Sequence, residues 1–93
     1  MLLAFLCAGD AQSERIDATC WSEPRVVDWS RDVGRIVRVE TPEQLELAAE
    51  FGVEHVPSLI WLQDGEVVRR VGSESPQSLG AVSPGWLAHS LWH

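Results

Sequence analysis

Glu54-His55-Val56-Pro57-Ser58-Leu59-Ile60-Trp61-Leu62, running on into Gln63-Asp64-Gly65-Glu66-Val67-Val68-Arg69-Arg70-Val71, is the stretch whose reading decides the fold. An apolar run, an Asp-Gly pair and a second β-branched run predict a hairpin, because a type I′ turn needs φ > 0 at both central residues and Asp-Gly tolerates it. Pro57 opens the first strand, where a missing N–H costs no ladder bond, and X-Pro is the one linkage that is cis at low cost. A cis Val56-Pro57 bond is therefore expected, although no local residue demands it.

Working back from the hairpin, Thr41-Pro42-Glu43-Gln44 reads as a capping box opening a helix through Leu45, Leu47, Ala48, Ala49 and Phe51, with Gly52 ending it. Arg35-Ile36-Val37-Arg38-Val39-Glu40 is rich in β-branched residues and reads as a strand. Ser22-Glu23-Pro24 predicts a helix with Ser22 as cap and Pro in the first turn, carrying Val26, Val27 and Trp29 to about Asp32, with Gly34 breaking it. Ahead of it, Asp10 is placed to N-cap a helix from Ala11 to Trp21, on which Ile16 and Cys20 share a face.

The amino end, Met1-Leu2-Leu3-Ala4-Phe5-Leu6-Cys7-Ala8-Gly9, lacks the basic residues of a secretory signal and is far too short to span a bilayer. A lipoprotein-type signal at Cys7 also fails, since bulky Phe5 and Leu6 stand where small residues belong. A buried strand ended by Ala8-Gly9 is the expectation. Beyond the hairpin, residues 72–80 are polar and rich in Ser, Gly and Pro, a loop or a broken helix. Ser83-Pro84-Gly85 then caps a last helix with Trp86, Leu87, Leu91 and Trp92, on which His89 and His93 are solvated or capping residues.

The 93 residues make a single domain, 1–93, with one core. Hydrophobic residues at 45% and five Trp exclude disorder. A net charge of −7 repels phosphate backbones and anionic lipid, so neither nucleic acid nor membrane is an expected partner. All seven bases are Arg, which removes lysine nucleophiles and Schiff bases. Two Cys and three scattered His make no zinc spacing, so no metal or cofactor is expected.

The element order is β, α with a short helical extension, β, α, β-hairpin, α. Its compact solution is α/β, a four-stranded mixed sheet with helices on both faces. In this setting the chain resembles a thioredoxin. Gly52-Val53-Glu54-His55-Val56-Pro57-Ser58-Leu59 is similar to the family's segment leading to its cis-proline, and Asp64 to Gly72 to its closing hairpin. Ser22-Glu23-Pro24-Arg25-Val26-Val27 resembles a segment of bacterial thioredoxin-like proteins. The resemblance covers almost the whole chain, lacks the family's first strand and helix, and implies the strand order 2-1-3-4.

The departure lies where that family carries its chemistry. A Cys-x-x-Cys pair there starts a helix whose N-terminus stabilises the thiolate. Here the matching residues are Asp10-Ala11-Gln12-Ser13, and the family's buried acid falls on Ala4. Nucleophile, resolving thiol and proton acceptor are all missing, which argues against dithiol exchange. Cys7 and Cys20 lie on different elements, either as a relocated pair or, the blander reading, as two small buried hydrophobes; whether they join is open.

Asp10, Ser13 and His55 near the proline loop resemble a nucleophile, base and orienter on paper. Ser13 is more simply an exposed first-turn residue, and nothing supplies an oxyanion hole. The resemblance therefore implies a redox-inactive, cytoplasmic domain that binds a protein or peptide through His55, Val56, Pro57 and Ser58, where backbone groups of Val56 pair with an extended chain. A thiol-disulfide oxidoreductase or glutathione-dependent enzyme is the second expectation. The third is a structural subunit or assembly factor with a Trp-bearing interface, with a homodimer possible in either case.

Overall fold

Five successive apolar residues without polar alternation belong to a strand covered on both faces, and Leu2–Leu6 (β1) is buried throughout. In the computed structural model, which describes residues 1–71 and 83–92, β1 is followed by α1 (Ala11–Thr19), α2 (Pro24–Asp32), β2 (Ile36–Glu40), a 3-10 turn (Thr41–Glu43), α3 (Leu45–Glu50), β3 (Ser58–Gln63), β4 (Glu66–Val71) and α4 (Pro84–Trp92). The sheet order is β2-β1-β3-β4. β2 runs parallel to β1, while β3 is antiparallel to β1 and to β4. The segment 72–80, expected as loop or broken helix, and His93 lie outside the described residues.

The period-2 alternation of β1 sorts its side chains into two cores. Leu2, Ala4 and Leu6 pack with Ile16, Trp29 and Leu87, so α1, α2 and α4 cover one face. Leu3 and Phe5 pack with Val39, Ala48 and Ile60 on the other face, which α3 covers. The hairpin turns at Asp64 and Gly65 with φ of 53° and 82°, as a type I′ turn requires. Gly34 is required by contact: a Cβ there would lie 2.4 Å from Cη2 of Trp29.

Three local expectations are corrected. Glu23, not Ser22, caps α2, its carboxylate accepting from the Arg25 N–H at 3.4 Å. A residue preceding proline is pushed to extended geometry, and Glu23 holds that position before Pro24. The capping box at Thr41 is not formed: the Thr41 carbonyl, rather than its hydroxyl, takes the Gln44 N–H at 3.0 Å. That bond closes a 3-10 turn, Gln44 leaves helical geometry at φ −130° and ψ 49°, and α3 starts only at Leu45. The first helix stops at Thr19, two residues before Trp21, whose indole N–H turns back to the Asp17 carboxylate at 2.8 Å.

Candidate functional site

The chain leaves β1 at Leu6 and must turn at once to start α1, which exposes backbone donors at Cys7 and Ala8 that need partners. The hydroxyl of Ser13 accepts from the Cys7 N–H at 3.1 Å, and the Glu40 carboxylate accepts from the Ala8 N–H at 2.9 Å. Asp10 sits at the N-cap and accepts from the Ser13 N–H at 2.8 Å. Ser13 is completely buried, so the expectation of an exposed first-turn residue is corrected. The signal was present in the spacing: Ser13, Ile16 and Cys20 follow a helical period and all three are buried.

Arg38 holds this turn from behind. Its guanidinium donates to Asp17 at 2.8 Å and to Glu40 at 2.9 Å, tying α1 to β2 and to the Ala8 turn. The Arg38 hydrogen bond keeps the Asp17 carboxyl below its ordinary value despite partial burial. For Glu40 the Ala8 N–H lowers the pKa first and Arg38 second. Both folded-state values lie below the unfolded ones, so their contribution is complete above the ordinary carboxylate values of 3.8 and 4.5 and is lost as pH falls through the folded values. Urea midpoints measured from pH 7 downward should therefore be level to about pH 5 and then fall. Arg38→Gln should make that acid decline shallower; an identical slope in the variant would rule out the clamp as its source.

The two thiols are free. Cys20 is buried in the α1-α2-α4 core, and burial pushes its thiol pKa up. Cys7 is only half-buried, which corrects the expectation of two buried hydrophobes, and its thiol contacts the Ala8 carbonyl at 3.4 Å.

The proline loop lies at the same end of the sheet, because Ser58 pairs with Phe5, two residues before Cys7. The Val56-Pro57 peptide is cis. His55 is exposed, Val56 is half-buried, and Pro57 and Ser58 are fully buried. The Ser58 hydroxyl donates to the His55 carbonyl at 2.6 Å and so fixes the loop. Of these four residues, His55 and Val56 offer side-chain surface to a partner. Beside them a cleft of about 320 Å³ is lined by Leu45, Ala48 and Ala49 of α3 and by Val53, Glu54, His55 and Val56. Sequence reasoning missed the α3 wall, since it named Leu45, Ala48 and Ala49 only as residues of a helix; Leu45 is 67% exposed. Among the described residues no group of three or more His, Cys, Asp or Glu could hold a metal ion, and no helix is long and apolar enough to cross a membrane.

This arrangement of a central parallel pair, an antiparallel hairpin and helices on both faces is the thioredoxin fold. Among solved structures the chain is similar to a thioredoxin from Thermus thermophilus, with a TM-score of 0.73 and 18% identity over 98% of this chain and 69% of that one. It also matches mitochondrial thioredoxin 3 from Saccharomyces cerevisiae, with a TM-score of 0.61 and 16% identity over 86% and 72% of the two chains. A thioredoxin from Nicotiana alata matches with a TM-score of 0.60 and 22% identity over 86% and 66%. No family model matches the chain.

Proposed function

We propose that this chain is a redox-inactive thioredoxin-like domain that binds an extended segment of a protein through the cleft between α3 and the His55-Val56 loop. The observation that carries this reading is the pairing of that cleft with a helix start that holds a capping carboxylate and a buried hydroxyl, Asp10 and Ser13, rather than two thiols. At the head of α1 the buried Ser13 hydroxyl accepts from the Cys7 N–H and the Asp10 carboxylate accepts from the Ser13 N–H, so both side chains serve the turn. Cys20 is buried and held protonated. Val56 stands half-open at the cleft wall, immediately before the buried Pro57, where strand addition supplies affinity from main-chain hydrogen bonds.

Two measurements test this reading. With insulin and dithiothreitol, the protein should give no turbidity beyond that of dithiothreitol alone; turnover at a thioredoxin-like rate would sink it. Heptapeptides selected on the protein from a phage library should shift the amides of Glu54, His55 and Val56. Val56→Arg, which fills the cleft, should weaken them by about tenfold, the loss of roughly one good contact. Selected peptides that bind the variant as well as the parent would reject the cleft.

A further inference from the structure

The cleft between α3 and the His55-Val56 loop has apolar walls and one carboxylate. Leu45, Ala48, Ala49 and Val53 line it together with Glu54 and Thr41. Glu54 is exposed, and among the described residues no ion pair engages its carboxylate. The imbalance reaches beyond that one residue. All seven bases of the chain are Arg, and none falls between residues 39 and 68, a stretch in which Glu40, Glu43, Glu46, Glu50 and Glu54 follow one another. Of these Glu residues, Glu40 alone is paired among the described residues, with Arg38. Arg70 reaches the end of α3 from β4, but its guanidinium donates to the Phe51 carbonyl rather than to a carboxylate. The complement of this cleft is therefore a cation with an apolar stem.

We infer, resting on the cleft reading above, that the partner segment places an arginine side chain in this cleft. Its aliphatic stem packs against Leu45, Ala48, Ala49 and Val53, and its guanidinium meets the exposed Glu54 carboxylate. A second acceptor belongs to the same lining. The Thr41 hydroxyl is covered and has no partner, so a turn about χ1 that brings it into the cleft breaks no hydrogen bond. Arginine serves these two acceptors better than lysine does, because its planar fork carries five donors and is more weakly hydrated than an ammonium. An apolar side chain of the same length would crowd the Glu54 carboxylate without giving it a partner, and an acidic one would meet its own sign of charge.

Three capped heptapeptides of alternating valine and threonine, with arginine, citrulline or glutamate at the centre, are the probes, used with the full chain. Citrulline keeps the stem and the planar head but loses the charge. The arginine peptide should bind about fivefold more tightly than the citrulline one, the upper end of what an ion pair to an exposed carboxylate contributes, and the glutamate peptide should bind least. Glu54→Gln should erase the difference between arginine and citrulline. Glu66→Gln removes the same charge beside the hairpin turn, at the far end of β3 from the proline loop, and should leave that difference intact. Equal affinity for all three peptides would overturn the inference; if the amides of Glu54, His55 and Val56 still shift with each, the cleft reading stands without it. Equal losses in the two variants would reduce the preference to diffuse attraction by a net charge of −7, which also overturns it. No shift of those amides with any peptide would remove the cleft and the arginine together.

Discussion

Phe5→Ala is expected to remove about 3–5 kcal/mol of stability, out of the roughly 5–15 kcal/mol that a domain of this kind possesses. Phe5 is completely buried on the central strand, and its ring meets Phe51 at a centroid distance of 6.1 Å and an interplanar angle of 54°. The face it serves is thinly covered, since α3 is only six residues long and contributes one buried residue, Ala48. Little can collapse into the space that Phe5 vacates, so the cavity term adds in full to the lost transfer term. Urea unfolding followed by tryptophan fluorescence should place the Phe5→Ala midpoint far below the parent's, or find the variant unfolded without denaturant. Phe5→Leu, which keeps most of the volume, should cost about 1.5 kcal/mol or less. Near-equal midpoints for Phe5→Ala and the parent would mean that the α3 face is not a packed core.

The elements that the sequence made legible are those fixed by local chemistry. Asp64-Gly65 states its turn in two residues, and the unbroken apolar run of β1 states a buried strand, whereas the strand order 2-1-3-4 followed from the resemblance. The misread positions are those where a backbone group competes with a side chain for the same proton. At Thr41 the carbonyl wins the Gln44 N–H, and the Thr41 hydroxyl is left buried without a partner. At Ser13 the hydroxyl serves the Cys7 N–H, six residues back and across a turn, a demand that becomes visible only once β1 and α1 are placed side by side. The Arg38 clamp on Asp17 spans 21 positions, and no spacing rule reaches that far. The cleft beside His55 was half legible: the loop was read from Val56-Pro57, while its α3 wall depended on where α3 began.

Replacing Asp10 and Ser13 together, as Asp10→Cys with Ser13→Cys, is expected to place a reactive thiol pair at the start of α1. The two positions are the N-cap and the third helical residue of α1, already joined by the 2.8 Å bond from the Ser13 N–H to the Asp10 carboxylate. Thiols there share the spacing that lets sulfurs join, and the unpaired N–H groups of the helix stabilise the first as a thiolate, bringing its pKa below the ordinary value of about 8.5. The substitution also has a cost, because it removes a cap worth about 1 kcal/mol and the hydroxyl that satisfies the Cys7 N–H, at about 1–3 kcal/mol. The double variant should therefore unfold at lower urea than the parent when reduced. Under mild oxidant it should lose two hydrogens by mass, with peptide mapping assigning the link to positions 10 and 13 rather than to Cys7 or Cys20. Alkylation at pH 6 should label position 10 in the reduced double variant faster than it labels Cys7 or Cys20 in the parent, since Cys20 is buried and its pKa is raised. Full disulfide reductase turnover is not expected, because Ala4 stands where the resemblance calls for a buried acid. Two thiols that stay apart under oxidant would mean that the head of α1 does not hold the Cys-x-x-Cys geometry, and the match of Asp10 to Ser13 with that motif would fall with it.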